Sequence, residues 1–72
     1  MKLIANDYPS KEIIKIIREW TELTQNDFGK SIHRSKSSIQ SLELGRRVLT
    51  VPTLIQIANT HDLKITIEKK EK

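Results

Sequence analysis

Residues 23–47 read LTQNDFGKSIHRSKSSIQSLELGRR, and the reading of this stretch decides the fold. It holds two helix-start signals, Thr24 and Ser35, close together in the chain. A hydroxyl at such a position accepts a hydrogen bond from the free amides of the first helical turn. Thr24 to Asp27 has the form of a capping box with aspartate as a shorter third partner than glutamate, and Leu23 and Phe28 are placed as a hydrophobic staple around it. The first signal predicts a helix from Gln25 to about Ile32. After the second, Ile39 and Leu42 supply the i, i+3 apolar pair of a helix from Lys36 to Leu44, and Gly45 supplies a left-handed stop. Gly29 falls inside the first of these helices, where glycine costs about 1 kcal/mol relative to alanine. A packing reason is needed there, and close approach of the following helix is the natural one.

Longer apolar patterns flank the pair. Upstream, Tyr8-Pro9-Ser10 announces a helix over Lys11 to about Glu22, with proline turning the chain away from helix before it and Ser10 expected as the cap. Ile13, Ile14, Ile17 and Thr21 lie on one face, widened by Ile16 and Trp20, and charged residues cover the rest. Trp20 reads as core. Downstream, Thr50 caps a fourth helix with Pro52 in its first turn and Leu54, Ile55, Ile57 and Ala58 as its buried face. Beyond Asp62 the period changes to two: Leu63, Ile65 and Ile67 alternate with Lys64, Thr66 and Glu68, which predicts a half-buried strand. A lone strand leaves its backbone unpaired, so this one needs either Lys2-Leu3-Ile4-Ala5 or the same strand of a second chain.

The chain therefore reads as a single domain over 1–72, mainly α, with four helices and a short C-terminal β-strand at about 63–68. At 72 residues it buries a modest core, and it has no cysteine to staple it. Packing and a partner chain remain, and Leu63, Ile65 and Ile67 are the expected dimerisation residues. No run of about 18 apolar residues or leader-like start is present, so no membrane partner and a cytoplasmic location are expected. His33 and His61, the two histidines, have no cysteine or carboxylate cluster near them in sequence, so turn and helix-end roles are expected and neither a metal site nor a cofactor. No serine has both a base and an orienting acid at a recognisable spacing, so no catalytic residue is expected.

Charge points to a polyanion. The formal net charge is +4, and residues 24–48 hold five of the bases against two acids. On the second short helix, Ser38, Ile39 and Leu42 point one way, while Lys36, Ser37, Gln40 and Ser41 occupy the other face. All four of these can donate or accept hydrogen bonds at base edges of the major groove. Lys30 and Arg34 before that helix, with Arg46 and Arg47 after it, are placed to hold phosphates. Aromatic stacking residues are scarce and none lies on this face, which disfavours RNA or single-strand binding. Two short capped helices around a tight turn, flanked by longer ones, is the arrangement in which a second helix is presented to double-stranded DNA, here over about 24–44.

The segments Ile17-Arg18, Leu23 to Gly29, Ser35 to Glu43, Gly45 to Arg47 and Leu54 to Ala58 together resemble the Cro and phage-repressor, or Xre-type, helix-turn-helix family over about fifty residues. The resemblance implies a compact lambda-repressor-like helical fold, homodimeric binding to a palindromic DNA operator, and transcriptional repression. It implies that Gln25 contacts a phosphate, that Lys36, Ser37 and Ser41 face bases, and that Arg18 and Glu43 pair to join the first helix to the third. Two positions depart from the family pattern: His33 stands where glycine is usual in the turn, and Arg34 where an apolar residue is frequent. Histidine tolerates positive φ better than most side chains, and Arg34 is expected to turn outward to phosphate. Cro proteins and HipB-type antitoxins also place a strand after the helix-turn-helix. An antitoxin that neutralises a toxin protein and represses its own operon is thus the second functional reading, separable by whether a toxin-like gene lies alongside.

Overall fold

A computed structural model describes residues 1–71. Four α-helices follow a single 3-10 turn at Ala5–Asp7: α1 (Ser10–Thr21), α2 (Gln25–Ser31), α3 (Lys36–Glu43) and α4 (Val51–Thr60). Three starts are capped as their hydroxyls predict. Thr24 accepts from the Asp27 amide at 3.1 Å, Ser35 from Ser38 at 3.1 Å and Thr50 from Thr53 at 3.4 Å. α1 starts one residue earlier than expected. Pro9 is its cap, with the Pro9 carbonyl taking the Glu12 and Ile13 amides, and Ser10 is the first helical residue. Proline already holds the extended conformation a cap needs, at φ −67° and ψ 155°, so the serine hydroxyl is not required.

Each helix is followed within two residues by one left-handed residue: Glu22 (φ 60°), His33 (φ 59°), Gly45 (φ 79°) and Asp62 (φ 57°). Only Gly45 adopts this conformation without steric cost. At the other three a side chain is carried in a conformation that costs it more.

The core gathers Ile13, Ile14 and Ile17 of α1, Phe28 of α2, Ile32, Ile39 and Leu42 around the turn and α3, and Ile57 of α4. Leu3, Trp20, Leu23, Leu49, Leu54 and Leu63 pack around its rim, so Trp20 is core-facing as its position predicts. α3 lies most closely on α2 and next on α1. The face of α4 is rotated from its expected setting: Thr53, Ile57 and Ala58 are buried, whereas Ile55 stays 46% exposed.

The expected C-terminal strand is not formed. Among the described residues no strand is present, and Leu63 to Ile67 makes one backbone hydrogen bond, Leu63 N–H to the Ala58 carbonyl at 2.8 Å. Lys2 to Ala5 does not pair with it; Ala5 instead enters the 3-10 turn. A strand exists only as part of a ladder, and within one chain this segment meets no partner.

Candidate nucleic-acid interface

The α2–α3 unit is held at short range. At Gly29 a Cβ would lie 2.6 Å from the Arg34 carbonyl oxygen and 3.2 Å from both the Ser35 carbonyl and the Ile39 side chain. The close approach predicted from this glycine is therefore present. The turn between the helices closes with the Arg34 N–H donating to the Gly29 carbonyl at 2.8 Å and His33 in the left-handed conformation.

α3 is amphipathic in the expected sense. Ile39 and Leu42 are buried, while Lys36, Ser37 and Gln40 are exposed and Ser41 is half-buried beside them. Ser38 is half-buried on the inner side, with its hydroxyl making no hydrogen bond among the described residues. At the far end the chain folds back: the Arg46 and Arg47 amides both donate to the Ser41 carbonyl, at 2.9 and 3.3 Å. This fixes two exposed arginines at the foot of the exposed helix face. Lys30, also exposed, stands in the last turn of α2.

A charged clamp fixes α3 from behind. Arg18 donates through Nε to Glu43 Oε2 at 2.6 Å and through Nη2 to Oε1 at 3.0 Å, and its Nη1 reaches the Leu23 carbonyl at 3.1 Å. The Arg18 and Glu43 side chains are 19% and 7% exposed, so the bidentate pair is partly desolvated. The hydrogen bond to Glu43 pushes the Arg18 pKa above its ordinary value, against a smaller opposing effect of burial. One arginine thereby joins α1, the α1–α2 link and α3.

Two expected phosphate ligands are turned inward. Gln25 Nε2 donates to Glu43 Oε1 at 3.3 Å, adding α2 to the clamp. Arg34 does not swing outward: its Nη2 donates to Thr53 Oγ1 at 3.0 Å, and it is half-buried. Among the described residues Thr53 is the one buried polar residue, and its hydroxyl also accepts from Thr50 Oγ1 at 3.0 Å. A half-buried guanidinium needs a polar partner, and α4 supplies it. Gln56 of α4 adds a bond to the Ile32 carbonyl at 3.1 Å, so α4 grips the turn at two points.

Thr53 and Gln56 were not singled out from sequence, and His61, which ends α4 as its helix-end role predicts, is in addition a third anchor. The His61 ring stacks on Phe28 with centroids 5.2 Å apart, and its Nε2 lies 2.8 Å from Ser31 Oγ. Ser31 donates its single proton to the Phe28 carbonyl at 2.6 Å, so Nε2 carries a hydrogen and donates to the serine. A hydroxyl on α2 four positions from Asp27 and a histidine at the end of α4 carry no local signal of their pairing. Among the described residues no group of histidines and acids is arranged to hold a metal ion, and no helix is long and apolar enough to cross a membrane.

Two short capped helices, closed through a left-handed turn with the second presenting a polar face beside exposed bases, define a helix-turn-helix domain. A family model described as a helix-turn-helix domain matches residues 13–66, and the chain belongs to that family. Comparison with curated proteins and with solved structures finds no match.

Proposed function

We propose that this chain is a sequence-specific, double-stranded DNA-binding transcriptional regulator. It acts as a homodimer reading a palindromic operator, most simply as a repressor of its own transcription. The observation that carries the reading is the exposed face of α3, where Lys36, Ser37, Gln40 and the half-buried Ser41 stand on a helix fixed from two sides by Gly29 and by the Arg18–Glu43 clamp. Inserted in the major groove, these side chains meet base edges. Arg46, Arg47 and Lys30 flank them and hold phosphates, setting the register without reading sequence. Arg34 and Gln25 contribute chiefly by positioning.

One α3 covers only a few base pairs, which is too little for useful specificity. Two copies related by a two-fold axis place their reading helices about 34 Å apart, one turn of DNA. Leu63, Ile65 and Ile67 carry the dimer contact. Selection of bound DNA from a random pool at stated salt tests the proposal. The expected result is a palindromic site whose half-sites have fixed spacing; uniform recovery of all sequences would refute it.

A further inference from the structure

Apart from the Leu63 amide, which is bonded to the Ala58 carbonyl, the segment from Leu63 to Ile67 makes no backbone hydrogen bond among the described residues, and it lies beside α4, where Ile55, Ala58, Asn59, Leu63, Ile65 and Ile67 line an apolar groove. Ile55 and Ile65 are 46% and 45% exposed and Ile67 is 96% exposed. We propose that this groove is closed by the same segment of a second copy, paired antiparallel in the register that puts Thr66 on the two-fold axis. The inference rests on the dimeric reading above and adds to it the partner surface and the alignment.

The argument is one of symmetry and charge. An antiparallel ladder between identical strands related by a two-fold axis sets one residue opposite itself, so each register is named by that residue. The ladder begins after Asp62, whose left-handed backbone cannot continue a strand. With Thr66 central, Lys64 faces the partner's Glu68 and Glu68 faces the partner's Lys64, which makes two attractive pairs on the polar side. On the apolar side Ile65 faces the partner's Ile67, and Leu63 lies under the aliphatic stem of the partner's Lys69. Ladder length is then residues 63–69.

Each neighbouring register loses at least one of these features; the Ile65 register keeps the apolar matches, Leu63 with Ile67 and Ile65 with itself, and loses the charge pairs. Centring on Ile65 shortens the ladder to 63–67, sets Lys64 against Thr66 and carries Glu68 towards Asp62, a like charge. Centring on Lys64 opposes that lysine to itself. Centring on Ile67 sets Lys64 against Lys70 and Ile65 against Lys69. Only the Thr66 register matches apolar with apolar residues and base with acid together.

The chain has no cysteine, so introduced thiols report the register cleanly. Opposed residues of an antiparallel ladder stand within the Cα separation a disulfide spans. Thr66→Cys, Ile65→Cys and Lys64→Cys are each oxidised mildly at micromolar concentration, with sedimentation of the unmodified chain alongside. Thr66→Cys is expected to cross-link within the dimer well ahead of the other two. In parallel, Lys64→Glu and Glu68→Lys alone should each weaken the dimer by about tenfold, because two attractive pairs become repulsive, and the double swap should restore it. These residues are exposed, and helical circular dichroism checks that each variant is folded. A dimer in which Ile65→Cys cross-links first, or in which the double swap restores nothing, overturns the register while leaving the dimeric reading intact. An unmodified chain that sediments as a monomer overturns both.

Discussion

Replacing Gly29 by alanine sets two effects of opposite sign against each other, and the structure decides between them. Alanine is the better helix former by about 1 kcal/mol, so propensity alone makes Gly29→Ala stabilising. The added Cβ, however, lies 2.6 Å from the Arg34 carbonyl oxygen, about 0.8 Å inside the nearest ordinary contact of 3.4 Å. That oxygen belongs to the backbone of the turn, one residue before the Ser35 cap, and the Arg34 N–H is itself bonded to the Gly29 carbonyl. No side chain can rotate away, so α3 must move off α2. Overpacking costs about 1–3 kcal/mol, and a 2.6 Å clash with backbone belongs at the upper end of that range, so with the propensity gain of about 1 kcal/mol subtracted the net loss is about 2 kcal/mol. With a urea dependence of about 1 kcal/mol per molar for a chain of this size, the midpoint falls by about 2 M. Asn26→Ala, on the exposed side of the same helix, gains propensity without the clash and serves as the control. The folded fraction of Gly29→Ala should also lose operator affinity, since α3 is displaced as a body. An unchanged or raised midpoint with an unchanged slope would refute the packing argument.

Glu43→Ala leaves the Arg18 guanidinium partly buried with only the Leu23 carbonyl, and should cost about 1.5–3 kcal/mol, read as a lower urea midpoint; an unchanged midpoint would remove the clamp from the stability of the fold. Ser41→Ala should change preference at particular base pairs, whereas Arg46→Gln should weaken all sequences alike and lower the salt slope by about 1; equal loss on every operator variant for Ser41→Ala removes it from base reading. Arg34→Ala removes one of the two hydrogen bonds that Thr53 Oγ1 accepts at the start of α4, and a loss of about 1 kcal/mol in thermal unfolding that Thr53→Val does not add to would establish the pair, additive losses the reverse. Glu22→Gly removes a non-glycine residue at φ 60° and should raise stability by about 1 kcal/mol, visible as a higher melting temperature; a lower one would show that the side chain supports the exit from α1.

The helices were legible because their signals are local. A hydroxyl at Thr24, Ser35 or Thr50 meets amides three residues away, the apolar periods of α1 and α3 require only 3.6 residues per turn, and Gly45 marks its own left-handed exit. The Gly29 packing reason and the Arg18–Glu43 pair were also accessible, the first from an unfavourable residue inside a helix and the second from a family likeness. Other features depend on where separate helices meet. Ser31 cannot signal that a histidine thirty residues on will stack on Phe28, and Arg34 carries no mark that Thr53 will be its partner. Left-handed backbone at Glu22 and Asp62 is likewise unmarked, since neither position holds glycine. The alternation of Leu63 to Ile67 shows the opposite limit: sequence fixes which side chains share a face, but a strand is made by its neighbour, and one chain folded alone does not contain it. Short-range hydrogen bonding and periodicity thus determined the four helices, while contact between distant elements decided how α3 is held.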